Sequence, residues 1–219
     1  MVIAANGVTF GEYHSFDDLQ LVLSQKTIGT PSPKTETVDI PGGDGVLDLT
    51  EFFGEVKYNN RTLSFVFSVM VPKSQFMGVF TRVQNLLHGR KMTITLDDDP
   101  DWYYTGRITV SEWKADRNIG TLTIDCDCEP FKYKPEYTVV EATVADSTTV
   151  TLTNSRKKVV PVVTITTDSG IRIEYQGSNV WELGNGSYTL PELELSEGDN
   201  IVSLTGSGTA TFTWREGAL

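Results

Sequence analysis

One amphipathic helix stands out in the pattern of apolar and polar residues along the chain. Within the stretch 71–89, apolar residues recur at spacings of three and four, which lets a helix bury one face. Pro72 and Ser74 suit a helix start, with Ser74 as N-cap, and Gly89 suits a helix end. The pattern predicts one helix over about 73–88 that covers a sheet. Its buried stripe is expected to contain Phe76, Phe80, Val83 and Leu87, widened by Met77 and Leu86.

Most of the remaining chain alternates apolar and polar residues with the period of two that is typical of strands. Before the helix, the strand-like stretches are 8–14, 19–28, 34–40 and 52–71, the last predicted as a hairpin turned at 59–60. After the helix they are 91–96, 102–113 and 119–128. In the second half of the predicted hairpin, one face is apolar and is expected to receive the helix; it carries Leu63, Phe65, Phe67 and Val69.

The composition changes after the segment 129–135, EPFKYKP, whose two prolines mark a linker. Beyond it the chain is rich in Thr, Val, Ser and Gly, and turn signals arrive roughly every eight to twelve residues, as in a β-sandwich. The sequence therefore predicts a mainly β protein of two domains. Residues 1–133 form a first domain, in which the one helix covers a sheet, and residues 134–219 form a second domain, a β-sandwich.

The charge balance is acidic, with 18 Lys and Arg against 29 Asp and Glu and a net charge of -11. This balance disfavours a general nucleic-acid binder and docking to anionic lipid. No apolar run approaches the ~20 residues that span a bilayer, and the first residues lack the pattern of a signal peptide. We expect a protein that is made in a cytoplasm and does not enter a membrane.

Metal and cofactor sites are not expected. Cys126 and Cys128 lie two residues apart on one predicted strand, where same-face neighbours are poorly placed for a disulfide, and only two histidines are present. The acidic run 97–101 invites a calcium interpretation, but it lacks the EF-hand pattern, and a solvated turn is favoured. The glycine-rich run 41–45 lacks both the phosphate-loop spacing and a following helix.

Two further classes of function were weighed. A glycosidase needs two facing carboxylates, such as Asp99 with Asp101 or Glu192 with Glu194, but spacing alone cannot place them across a cleft. With His14 and His88 as the only histidines and no nucleophile elbow, serine-hydrolase chemistry has little support, so no enzymatic activity is expected. A carbohydrate-binding C-terminal domain would use exposed aromatic rings, although the favoured interpretation places them in a core; they are Trp181, Tyr188 and Trp214.

Five stretches spread along the chain belong together. They are EYHSFDDLQLVL, PGGDGVLDLTEFFG with Tyr58 and Arg61 after it, LDDDPDWYYTGR, IDCDCEPFKY and LSEGDNIVSLTGSGTATFTWREG. In this order they resemble the distal tail protein family of phages with long non-contractile tails, including prophages of Gram-positive bacteria. Members carrying inserted carbohydrate-binding modules are longer, and no such insertion interrupts this chain.

The resemblance implies a virion structural protein at the tail tip. It implies a homohexameric ring that joins the tail tube protein to the baseplate hub, a tail-associated hub or lysin protein. The N-terminal domain, a tube-like β-sandwich with one flanking helix, would form the ring. The C-terminal, galectin-like domain would project outward to hold adaptor or receptor-binding proteins. DNA would pass through the lumen without specific binding.

Physical reasoning adds a candidate ring interface. A long strand at a sheet edge invites pairing, and closing a ring would remove that edge. We expect the hairpin 52–71 with the turn 41–45 to form one contact and the turn 97–104 a second. A hexamer would carry six times -11, or -66, which would repel DNA in the lumen. The candidate interface residues are Phe52, Tyr58, Arg61, Phe65, Asp99, Tyr104 and Arg107.

Overall fold

A computed structural model describes residues 7–52, 54–116 and 119–219 of the chain. The chain divides into an N-terminal unit, Met1–Lys132, and a C-terminal unit, Tyr133–Leu219. Nearly all regular structure in the described residues is strand, with one α-helix and one short 3-10 turn. The mainly β class predicted from the sequence is therefore confirmed.

The N-terminal unit contains one antiparallel sheet with the order β2-β1-β7-β8-β9-β6-β3, and a separate two-stranded ribbon of β4 and β5. The strands are β1 Val8–Phe10, β2 Tyr13–His14, β3 Leu21–Ile28, β4 Thr37–Asp39, β5 Val46–Asp48, β6 Arg61–Val69, β7 Lys91–Leu96, β8 Asp99–Ala115 and β9 Gly120–Cys128. The helix α1 covers Phe76–Leu87, after a 3-10 turn at Lys73–Gln75, and β10 is Lys132–Tyr133.

The sheet of the N-terminal unit curls until its two halves face each other. Four steps of about 4.8 Å separate β1 from β6 in the sheet order, so a flat sheet would hold them about 19 Å apart. Yet the Phe10 ring lies 5.8 Å from the Phe65 ring and 6.3 Å from the Phe67 ring. One curled sheet therefore supplies both layers around the core, where the resemblance implied a β-sandwich.

The helix α1 packs on this core, close to its predicted position. Its buried residues are Phe76, Val79, Val83 and Leu87, while Met77, expected in the stripe, is 60% exposed. Phe80 is half-buried and stacks at 5.3 Å on Trp113 of β8. Ser74 lies in the 3-10 turn, so the N-cap is Gln75, which makes no side-chain capping hydrogen bond. The predicted cap was therefore wrong, although the helix was right.

The predicted hairpin 52–71 was wrong in its first half. No strand forms among the described residues of 52–58, and Tyr58 makes only an isolated bridge with Pro33. The second half is β6, which pairs with β3 on one side and β9 on the other. β6 is therefore an interior strand, and the unpaired edge that motivated the ring interface lies elsewhere.

The C-terminal unit contains β11 Thr138–Asn154, β12 Val162–Thr166, β13 Ile171–Tyr175, β14 Asn179–Leu183, β15 Gly186–Thr189, β16 Gly198–Trp214 and β17 Gly217–Ala218. β11 and β16 pair antiparallel over all 17 residues of each. The first half of β16 also pairs with β13, and its second half pairs with β12. Beyond these, β14 pairs with β13 and β15 with β12.

A bend in the β11–β16 pair folds this sheet around one core. At the bend, Asp146 pairs with Gly206, and the φ angles are 82° at Asp146, 133° at Gly206 and 144° at Gly208. Side chains from both halves then meet in a single buried cluster that includes Val150 and Phe212. The glycines also permit close approach, since a Cβ on Gly208 would lie 2.3 Å from the Thr166 carbonyl oxygen.

We predict that Gly208→Ala destabilises the C-terminal unit. The added Cβ would meet backbone, and the φ of 144° is one that side-chain-bearing residues rarely adopt. We expect the free energy of unfolding, measured by urea titration, to fall by about 1–3 kcal/mol. Gly184→Ala is the control, because its Cβ would have no atom within 4 Å and it should stay within about 0.5 kcal/mol of the parent. Equal midpoints for the two variants would show that the bend does not need glycine.

Candidate functional site

The most exposed apolar feature of the N-terminal unit is a hairpin arm, residues 29–60, between β3 and β6. Its base continues the β3–β6 ladder, and its outer part is the ribbon of β4 and β5, in which Val38 lies opposite Leu47. The run 41–45, PGGDG, makes the turn. Backbone hydrogen bonds hold the two sides of the base together: Gly29 N–H to the Thr62 carbonyl at 2.9 Å, Asn59 to Ser32 at 2.9 Å and Lys34 to Lys57 at 2.7 Å.

The arm presents large apolar side chains to solvent. All six residues of β4 and β5 are exposed, and Phe52 is 70% exposed. A two-stranded ribbon is at best marginally stable by itself, and these side chains keep between 46% and 70% of their surface exposed in the single chain. The arm therefore has the properties of a segment that packs against another surface. The apolar side chains are Val38, Ile40, Val46, Leu47 and Phe52.

The arm is also acidic. Residues 29–60 hold six carboxylates and two lysines, a net charge of -4. Within it, hydrogen bonds from the side chain and backbone of Thr50 lower the pKa of the Asp48 carboxyl, which keeps that group ionised. A surface that receives the arm should accordingly offer an apolar groove with basic residues at its rim.

Three of the seven residues predicted for the ring interface lie inside the N-terminal unit. Phe65 is fully buried, and Tyr104 and Arg61 are 4% and 7% exposed. Arg61 donates from Nε to the Gly29 carbonyl at 2.8 Å and from Nη1 to the Pro130 carbonyl at 3.3 Å. Its guanidinium also lies 5.2 Å from the centre of the Tyr104 ring. Arg61 therefore fixes the base of the arm to the segment after β9, and these three side chains are removed from the candidate interface.

The other four predicted interface residues remain accessible to different degrees. Phe52 and Arg107 are exposed, and Tyr58 and Asp99 are half-buried. Arg107 donates from Nη1 to the Gly89 carbonyl at 2.7 Å, and the Tyr58 ring meets the Phe131 ring edge-on at 5.9 Å. Phe52 in the arm is the one with a large apolar side chain that is mostly exposed, at 70%.

The acidic run 97–101 disperses its carboxylates among separate partners. Asp97 accepts the Gly7 N–H at 2.7 Å, Asp98 pairs with Lys26, and Asp99 accepts from Lys132 Nζ at 2.6 Å. The Lys26 hydrogen bond lowers the pKa of the Asp98 carboxyl. Asp99 belongs to β8, so the predicted turn is shorter than expected. In the described part of the chain, no group of three or more His, Cys, Asp or Glu side chains converges as a metal site would require.

In each of the two carboxylate pairs that glycoside hydrolysis would use, one carboxylate interacts with a lysine. Asp99 is bound to Lys132, and Glu194 Oε2 lies 3.5 Å from Lys158 Nζ. An open pocket of about 300 Å³ in the C-terminal unit is lined by other residues, among them Arg172, Glu182 and Thr205. None of the four weighed carboxylates lines it.

The aromatic residues considered for glycan stacking mostly serve the core of the C-terminal unit. Trp214 is 2% exposed, so its ring cannot stack on a sugar. Trp181 and Tyr188 are half-buried and pack against the same core. The Tyr188 hydroxyl also donates to the Gly184 carbonyl at 3.2 Å. These positions agree with the interpretation of the three rings as core residues.

The two cysteines are free and lie on the buried face of β9, as the period of two predicts. Burial raises the pKa of both thiols, with nearby carboxylates adding to the effect, and Cys128 reaches about 12. Neutral, enclosed thiols are poor nucleophiles and poor metal ligands. Cys126 and Cys128 therefore act as small apolar core residues.

A second organised cluster, centred on Glu216, fixes the segment that enters the C-terminal unit. The Glu216 carboxylate accepts hydrogen bonds from Lys134 Nζ at 2.7 Å, from the Thr138 hydroxyl at 2.6 Å and from the Ser155 hydroxyl. Arg215 donates from Nη1 to the Lys134 and Pro135 carbonyls at 2.9 Å each. Arg215 and Glu216, which follow β16, thus fix the linker to the β-sandwich. No motif in the sequence predicted this role.

These contacts govern the ionisation of Glu216. Burial by itself would raise the pKa of this carboxyl, but hydrogen bonds from Lys134, Ser155 and Thr138, with the charge of Lys134, outweigh burial and lower it. Because the folded pKa lies below the ordinary value of 4.5, the cluster stabilises the protein fully above that pH. The stabilisation is lost as the pH falls through the folded pKa.

The chain matches no protein-family model and no curated protein. A solved structure matches it nearly end to end: the SPP1 Dit (gp 19.1) protein, described as a paradigm of hub adsorption apparatus in Gram-positive infecting phages. The TM-score is 0.71 at 16% sequence identity, over 96% of this chain and 98% of that one. The chain therefore shares the fold of SPP1 Dit. No helix in the described residues is long and apolar enough to cross a membrane.

We predict that Glu216→Gln lowers stability at neutral pH and removes part of its acid dependence. The glutamine keeps an acceptor but loses the charge, so the free energy of unfolding should fall by roughly 1–3 kcal/mol at pH 7. The gap between variant and parent should shrink as the pH falls from 4.5 through the folded pKa, because Glu216 of the parent then takes up a proton. Urea titrations across this pH range measure it, with the exposed Glu136→Gln as control. A gap that stays constant with pH would contradict the assigned role.

Proposed function

We propose that this protein is a structural component of a phage tail, built into the adsorption apparatus at the distal tip. In this proposal six copies form a ring between the tail tube protein and a tail-associated hub protein. The observation that carries it is the match in fold to SPP1 Dit along nearly the full length of both chains. The protein would be made in the host bacterial cytoplasm and reside in the virion, with no catalytic step of its own.

The hairpin arm supports assembly into a ring. Its exposed Val38, Leu47 and Phe52 leave apolar area in water that a neighbouring copy would cover. An arm that reaches from one copy to the next makes a heterologous contact, and such contacts close into rings when the rotation between copies is right. We assign the main ring contact to the arm, with Phe52 retained from the sequence-based prediction.

The C-terminal unit would serve as the platform of the ring. Its galectin-like sandwich has a core of its own, so it can present strands and loops without disturbing the N-terminal core. Adaptor or receptor-binding proteins are its proposed partners. The Glu216 cluster supports this role, because a platform must hold its entering segment at a fixed orientation to the sandwich.

The expected repulsion of DNA by the lumen rests on how charge is distributed. On the outer face of the N-terminal sheet, Arg107 lies in register between Lys91 and Asp127, so this face is of mixed charge. Of the net charge of -11, -4 lies in the arm. We propose that passage of DNA without binding depends on a polar lumen of mixed charge together with the overall charge of -11 per copy.

The ring has a direct test in solution. Light scattering on the purified full-length chain should give a mass near six times 24.2 kDa, and negative-stain images should show particles with a central hole. Because ring closure is concentration-dependent, the measurement should cover a hundredfold dilution. A monodisperse monomer at every concentration would contradict a ring that forms by itself.

The role of the arm is tested by Leu47→Asp. The side chain is 53% exposed, so the single chain should fold normally, but a carboxylate buried at a subunit contact costs several kcal/mol. We expect the association constant per contact to fall by on the order of a hundredfold, and the mass to shift towards 24.2 kDa. The matched control is Val180→Asp, an exposed valine on β14. Intact rings in the Leu47 variant would exclude the arm from the contact.

A further inference from the structure

The described residues leave several strand edges unpaired, and nearly all of these edges are short or blunted. β2, β14 and β15 span two, five and four residues. β3 is longer, but a bulge between Leu23 and Gln25 interrupts it, and Lys26 lies on it. Short length, bulges and lysines are the devices that keep an edge from pairing with other chains. The chain thus protects these edges in the usual ways.

β11 is the exception. It pairs with β16 on one side, and no described residue pairs with its other side. Its 17 residues contain no Lys, Arg or Pro, and they are mostly Thr and Val, the residue types that favour strands. The bend at Asp146 divides it into two straight segments of eight residues. Each segment is long enough to pair with a complete additional strand.

The sheet face beside the segment 138–145 is almost free of charge. Across β11, β16, β12 and β15, eleven outward-facing positions lie in register and one is charged, Glu141. About a quarter to a third of a solvated surface is normally charged, so roughly three charges would be expected here. The eleven positions are Val139, Glu141, Thr143, Thr209, Thr211, Thr213, Val162, Thr164, Thr166, Ser187 and Thr189.

We propose that the free edge of residues 138–145 in β11 binds an extended segment of another protein, which adds to the sheet as a further strand. Main-chain hydrogen bonds would supply the affinity, as in other cases of strand addition. The uncharged face selects a segment rich in Thr and Val. Glu141, the single charge, selects a Lys or Arg opposite it, because an opposite-charge cross-strand pair is favourable.

Charge argues for a foreign segment over a second copy of this chain. Antiparallel pairing of 138–145 with itself would bring two Glu141 carboxylates onto adjoining strands. A basic segment replaces this repulsion by attraction, and electrostatic attraction to the acidic chain would speed its association.

The test uses the full-length protein and two fluorescently labelled synthetic peptides. Each peptide is short and alternates threonine and valine, with a central lysine in one and a central glutamate in the other. We expect saturable binding of the lysine peptide, measured by anisotropy, at least tenfold tighter than that of the glutamate peptide. Amide exchange within 138–145 should slow when the lysine peptide is bound, because outward N–H groups gain acceptors.

Charge reversal locates the site. Glu141→Lys should reverse the preference between the two peptides, and its side chain is exposed, so folding should be unaffected. Glu182→Lys changes the net charge equally at an exposed position on the opposite edge strand, β14, and should leave the preference unchanged. Equal effects of the two variants would reduce the binding to general electrostatics and overturn the proposal. Absence of saturable binding would overturn it as well.

A second copy of this chain at the β11 edge would give a different experimental outcome. If a second copy covers the edge, sedimentation should show self-association that strengthens in Glu141→Lys mixed with the parent chain, with slowed exchange in 138–145 and no added peptide. That result would overturn the assignment to a foreign segment. If Glu141→Lys and Leu47→Asp both keep the oligomer that the parent chain forms, the contact between copies lies at neither surface.

Discussion

The structure depends on the contact of Phe10 with Phe65 and Phe67, through which the N-terminal sheet packs against itself. A sheet must bury one face, and with one helix among the described residues the N-terminal sheet has little else to bury it against. Curling brings β1 over β6 and lets the sheet enclose its own apolar face. The C-terminal unit meets the same constraint with the bend at Gly206 and Gly208. Both units therefore obtain a core by folding a sheet onto itself.

This solution determines which surfaces remain for other molecules. The arm at 29–60 lies outside this core, since none of its described residues belongs to the buried apolar cluster of the N-terminal unit. Its exposed apolar residues are best explained by contact with something outside the chain. In the C-terminal unit, the bent pair places β16 in the middle and leaves β11 at the margin with one side unpaired. Both surfaces proposed for assembly thus arise because each sheet folds onto itself to bury its apolar face.

Two charged residues in this protein position the backbone. Arg61 is enclosed beneath the arm and binds two carbonyl groups, and Glu216 gathers Lys134, Thr138 and Ser155 around the linker. Each fixes a junction where the chain leaves one set of strands for another. Such fixed junctions suit the structural role proposed for this protein.

The sequence by itself determined the local structure: the helix at Phe76–Leu87, most strands, the mainly β class and the burial of Cys126 and Cys128 on one face. These follow from periods of two and 3.6 and from turn residues, which act over a few neighbours. Tertiary structure decided the rest. Phe65, Tyr104 and Arg61 are interface candidates in the sequence, but the curled sheet encloses them. The strand-like alternation in 52–58 forms no strand among the described residues, because this segment belongs to the arm. Which strand becomes an edge depends on pairing between distant segments, and the pattern of a single strand does not encode it.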